Sequence, residues 1–127
     1  MPTDLIVIDS EAPTEEAIDR AATALLRGKV VAIPTEARYA LVADPFNLNA
    51  VSRVFAAKGR EQARSLPLLV GDMMMAEELT SEVSARFRLL ARNYWPGPLT
   101  IIVPGSAKVP LRVTGNTGRL ALRQSKS

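Results

Sequence analysis

The 127 residues include no cysteine and no histidine, which excludes disulfides, thiol nucleophiles, imidazole bases and the usual zinc sites. At 47% hydrophobic and 23% charged residues the chain has the composition of an ordinary folded protein, and its length suits one domain with a modest core. A net charge of +3 hides a segregation: residues 1–82 hold all 13 acids, whereas residues 83–127 hold eight of the 16 basic residues and no acid. The remaining palette of carboxylates, hydroxyls, lysines and arginines suits the binding of anions better than nucleophilic catalysis. Phosphoryl or nucleotidyl transfer, which asks a protein mainly for positioning and positive charge, fits that palette.

The start, Met1 to Asp9, lacks a basic run, and its apolar stretch is too short for a signal peptide or a membrane span. A cytoplasmic protein without a membrane partner is the expectation. Leu5 to Ile8 reads as a strand. A helix opens near Thr14, where Pro13, Glu15 and Glu16 supply start signals, and Ala17, Ala21, Ala24 and Leu25 mark its buried stripe. Arg27-Gly28 ends it, and the β-branched run Lys29 to Ile33 reads as a second strand, so residues 5–33 form a β-α-β segment. That strand runs directly into the polar Pro34-Thr35-Glu36 turn, and strand ends are where ligands gather in α/β folds.

Asn47 or Asn49 caps a helix reaching Ala57, with Leu48, Val51, Val54 and Phe55 at helical spacing. Lys58 falls at its C-terminal end, where a cation complements the helix dipole, and Gly59 permits a sharp turn that aims Lys58 and Arg60 at one anion. Ser65 to Val70 reads as a strand. Met73 to Leu79 reads as a helix whose methionines fill the core. Thr80 or Ser81 caps a further helix through Asn93, with Val83, Phe87 and Leu90 on one face. Pro96-Gly97-Pro98 stops it and aims a strand from Leu99 to Val103; Pro104-Gly105 turns the chain. Residues 106–118 look irregular, and Leu120 to Leu122 is a short terminal strand flanked by Arg119 and Arg123. The basic residues of this last stretch, Arg112 and Arg119 among them, are either a solvated face or a surface for phosphates and RNA. No glycine-rich phosphate loop, zinc spacing, heptad or repeat is present, so the residues by themselves lead to an anion-binding α/β domain and no further.

Several motifs, in order, carry a resemblance: Gly28-Lys-Val-Val-Ala-Ile-Pro-Thr-Glu36, Tyr39, Ala57-Lys-Gly-Arg60, Leu66-Pro-Leu-Leu-Val70 and Trp95-Pro-Gly-Pro-Leu-Thr100. From about Ala17 to Arg123 the chain resembles the YrdC/TsaC family of threonylcarbamoyl-AMP synthases. The resemblance implies an α/β fold, a twisted open mixed sheet with flanking helices and a concave basic face. It implies a reaction joining L-threonine, bicarbonate and ATP, with Mg²⁺, into threonylcarbamoyl-AMP and pyrophosphate, in tRNA threonylcarbamoyladenosine modification beside other tRNA-modification proteins. By matching position, Lys58 and Arg60 would be catalytic, holding phosphate and carboxylate charge, while Thr35, Tyr39, Thr100 and Arg123 would bind substrate.

The chain also departs from that pattern. Ala37, Arg38, Ala40 and Val42 stand where the family has threonine, valine and two glycines; Ser65 replaces a proline; and the family's later Ser-x-Asn segment, which helps bind ATP, has no counterpart after Arg123. The expectation is therefore a single domain, residues 1–127, lacking the family's C-terminal portion and incomplete or weak as an enzyme. The alternative is a non-catalytic YrdC-like protein that binds tRNA or double-stranded RNA through Arg112 and Arg119. An open sheet edge would also permit self-association.

Overall fold

The computed structural model describes residues 3–9, 11–36, 38–59 and 66–126. Helix α1 spans Glu15–Leu26, its Thr14 hydroxyl accepting from the Ala17 N–H at 3.2 Å as the sequence predicts. The helix ends in a Schellman turn: Gly28 N–H donates to Leu25 O and Lys29 N–H to Ala24 O, both at 3.0 Å, around Gly28 at φ 78°. Glycine is required here twice over, because a Cβ would also collide with the Asn47 side-chain amide. Ala17, Ala21, Ala24 and Leu25 are the half-buried positions of α1, the stripe its spacing marks.

Strand β1 (Val31–Pro34) then turns back into β2 (Tyr39–Val42), with Val31 opposite Val42 and Pro34 opposite Tyr39. This hairpin replaces the β-α-β segment. Residues 5–8 are unpaired, with Leu5 90% and Val7 91% exposed, because β1 finds its partner across a four-residue turn. The local antiparallel partner is cheaper in chain entropy than a parallel one reached across a helix.

Helix α2 (Leu48–Lys58) is capped by Asn47, whose Oδ1 accepts from Ala50 N–H at 3.1 Å, and is closed by Gly59 in the left-handed region. Its buried face is Ala50, Val51, Val54 and Phe55, while Leu48, expected on that face, lies outside it. Strand β3 (Leu68–Val70) leads to Asp72, the N-cap of α3 (Met73–Leu79). Of the three methionines only Met73 packs against the core; Met74 and Met75 face solvent, and Ala76 takes the buried place. Helix α4 (Ala85–Tyr94) begins at Ser84, whose hydroxyl accepts from Phe87 N–H at 3.1 Å. Neither of the expected caps, Thr80 or Ser81, serves: Thr80 is drawn into a bridge with Gly105 and donates its hydroxyl to Glu77 O, and the Ser81 N–H donates to Pro104 O.

Strands β4 (Ile101–Pro104) and β5 (Arg119–Gln124) complete a mixed three-stranded sheet in the order β3-β5-β4. β5 runs parallel to β3 and antiparallel to β4, so the last strand is central and twice the expected length. Residues 106–118 are irregular, as read, yet they bury Val109, Val113 and Thr114. The Thr114 hydroxyl is satisfied there, donating to Leu111 O at 2.8 Å and accepting from Gly118 N–H.

Strand alternation sorts this sheet into two faces. Leu68, Val70, Leu120, Leu122, Ile101 and Val103 are buried and form one core with Val51, Phe55, Ala76, Phe87, Ala91 and Trp95 from the helices. Phe87 and Trp95 meet edge to face at 5.7 Å and 81°, and the indole N–H donates to Leu99 O. The opposite face carries Leu69, Arg119, Ala121, Arg123, Ile102 and Pro104, and Ile102 is 68% exposed. Among the described residues no helix is long and apolar enough to cross a membrane.

Candidate functional site

The open face carries three of the residues singled out in the sequence, Arg119, Arg123 and Thr100, and the hairpin turn reaches it through Glu36. Arg119 and Arg123 project from alternate positions of β5, and Thr100, exposed just before β4, continues the even-numbered row that holds Ile102 and Pro104 on the same face. Thr35 follows β1 and closes the hairpin. Its hydroxyl donates to Arg38 O at 2.6 Å and accepts from Arg38 N–H at 3.1 Å, while its own N–H donates to Arg38 O. The hydroxyl thus shapes the turn around it. Tyr39 opens β2 and is 76% exposed.

Lys58 is the last residue of α2 and is exposed, so it complements the helix dipole while its ammonium stays in solvent. Arg60 lies outside the described residues. Arg112 sits half-buried in the irregular segment, with its Nε buried and without a hydrogen-bond partner. Arg112 and Arg119 are therefore unlike each other: Arg119 is exposed at the edge of the open face.

Two residues at the centre of this region escape the sequence reading as site groups. Glu36, in the hairpin turn, accepts from Arg123 Nη1 at 3.2 Å through one carboxylate oxygen and from the Ser125 hydroxyl at 2.5 Å through the other. The side chains of Arg123 and Glu36 are 16% and 19% exposed, although the Glu36 backbone is open to solvent. The Ser125 hydroxyl, ahead of the backbone N–H groups of Glu36 and Lys126 and the charge of Arg123, holds the Glu36 carboxyl below the usual carboxylate range, against the opposing effect of burial. The Pro-Thr-Glu turn is the only sequence signal for Glu36, and nothing in spacing joins it to residues 123 and 125.

Charge segregation is also less complete in space than along the chain. Arg88 pairs with Glu77 at 3.0 Å and Arg123 with Glu36, so two of the eight C-terminal basic residues are neutralised by acids from the first part. A separate pocket of about 260 Å³ lies on the helix side, lined by Met73, Arg88, Ala91, Arg92, Trp95 and Gln124. Among the described residues no group of three or more acidic side chains converges as a metal cage.

Comparison with known proteins agrees with this architecture. The family model Sua5/YciO/YrdC, described as "Telomere recombination", matches residues 23–127. The chain is 39% identical over 119 residues to a threonylcarbamoyl-AMP synthase of Pyrococcus abyssi, covering 93% of this chain and 35% of that protein. It is 36% identical over 106 residues to one from Halorhodospira halophila, covering 84% and 56%. The crystal structure of P. abyssi Sua5 complexed with L-threonine superposes with a TM-score of 0.88 at 37% identity, over 91% of this chain and 34% of that one. The chain thus spans between about a third and just over half of the relatives it matches. The hairpin, the mixed sheet and its open face are therefore those of a YrdC-like fold, and the chain belongs to the Sua5/YciO/YrdC family.

Proposed function

We propose that this chain supplies the substrate-binding face of a threonylcarbamoyl-AMP synthase, acting in tRNA modification. The observation that carries the reading is the open sheet face, where Arg123 and Thr100 lie at the same end and Glu36 ties the Thr35 turn to Arg123. The names of the relatives, and a P. abyssi relative solved with L-threonine, support the ligand class we assign to that face.

On this reading Arg123 receives the threonine carboxylate, Thr100 and Tyr39 border the amino acid, and Thr35 holds the turn beside it. The threonine amine attacks the carbon of bicarbonate, and loss of water leaves a carbamate. A carbamate oxygen then attacks the α-phosphorus of ATP and pyrophosphate departs. Lys58 and Arg60 stabilise the charge that builds on the phosphates, an electrostatic role that needs neither cysteine nor histidine. Mg²⁺ carried by the nucleotide would neutralise the phosphates beside Lys58 and Arg60.

The test is incubation of the folded chain with ATP, Mg²⁺, L-threonine and bicarbonate, followed by mass spectrometry. Threonylcarbamoyl-AMP that vanishes when threonine is omitted is the expected product. Its absence from a demonstrably folded sample overturns catalysis by this chain alone. RNA binding by the exposed Arg119 is then the reading to pursue, with a salt-dependent affinity that falls when Arg112 and Arg119 are replaced.

A further inference from the structure

We infer that Glu36 is a positioning residue: its carboxylate holds the Arg123 guanidinium and the β1–β2 turn in the arrangement that receives a carboxylate ligand on the open face. The inference rests on the reading of that face given above. Among the described residues the hairpin and the three-stranded sheet share no strand pairing, so no backbone ladder joins them and the Glu36 contacts are a direct tie between the two. Glu36 reaches across 87 residues of sequence to Arg123 and 89 to Ser125, with both members of the ion pair largely shielded from water. Each of its oxygens is held by a different residue of the β5 end, so the carboxylate cannot rotate without losing one bond.

The contact to Arg123 is single rather than forked, made by Nη1 alone. A guanidinium carries five N–H donors, so one such bond fixes its plane and leaves donors for a second carboxylate. A ligand then meets an arginine whose rotamers are already restricted, which lowers the ordering cost of binding. Ser125 and Arg123 hold different oxygens of the Glu36 carboxylate, and the two grips can therefore be substituted one at a time.

The experiment titrates the folded chain calorimetrically with L-threonine and follows the Arg123 Nε–H signal by nuclear magnetic resonance. Glu36→Gln keeps the size and an oxygen acceptor for Ser125 but removes the charge that orients Arg123. It is expected to weaken threonine binding about tenfold and to broaden the Arg123 signal. Ser125→Ala leaves the Glu36–Arg123 pair and is expected to weaken binding by less than about threefold, and Glu36→Asp to restore part of the loss. Equal or tighter binding by Glu36→Gln, or equal losses in Glu36→Gln and Ser125→Ala, overturns the inference and leaves Glu36 a structural latch only. If the unaltered chain binds no L-threonine, the reading of the face falls, and this inference with it.

Discussion

The two faces of the three-stranded sheet are built from the same three strands and differ only in which alternate residues they carry. One face, with Leu120 and Leu122 at its centre, is sealed by helices; the other carries Arg119, Arg123 and the exposed Ile102. Stability and ligand chemistry are thereby placed on opposite sides of a sheet one residue thick. A substitution on either side should report on one property and leave the other nearly untouched.

The largest contrast is expected from Phe55→Ala, which empties a fully buried site and should cost about 3–5 kcal/mol in denaturant unfolding. Arg123→Ala, on the other face, should reduce L-threonine affinity at least tenfold, about 1.4 kcal/mol, in a calorimetric titration. Ser84→Ala removes the α4 cap and should cost about 1 kcal/mol of stability, with no effect on ligand binding. Ile102→Ser, although it removes an apolar side chain from strand β4, should change stability by no more than about 0.5 kcal/mol because that side chain is already in water.

A fifth contrast concerns pH. Because the Glu36 carboxyl titrates below the usual range in the folded chain, its contribution to stability is complete above the ordinary carboxylate pKa and is lost as pH falls through the lowered value. The stability difference between the unaltered chain and Glu36→Gln should therefore shrink on acidification below that range. A difference that stays constant with pH would show that the charge of Glu36 contributes nothing to the tie.

Local signals made much of the fold legible. Thr14, Asn47 and Gly59 act within one turn of themselves, and α1 shows the alanine stripe that its 3.6-residue period requires. Partnerships between distant residues were less readable. Leu5 to Ile8 has the composition of a strand but no neighbour, whereas Tyr39 to Val42, only four residues long and without a strong hairpin dipeptide, has one. The start of α4 was misplaced because Thr80 and Ser84 are both competent caps, and the bridge to Gly105 decides between them. At the site, the resemblance named Arg123 and Thr35 by position. It included Glu36 in a motif without giving it a role and did not reach Ser125, and the meeting of the two is a property of the folded chain.

The position of β5 between β3 and β4 has a consequence for the order in which the molecule assembles. Leu68 must wait for Leu122, and Ile101 for the same residue, before either flanking strand gains a single rung of the sheet. As the chain leaves the ribosome, the β1–β2 hairpin can pair by itself, but β3 and β4 emerge ahead of the strand that joins them. Contacts of such long sequence separation slow folding. A product that ends ahead of Arg119 therefore lacks the strand that joins β3 to β4, and with it both faces of the three-stranded sheet.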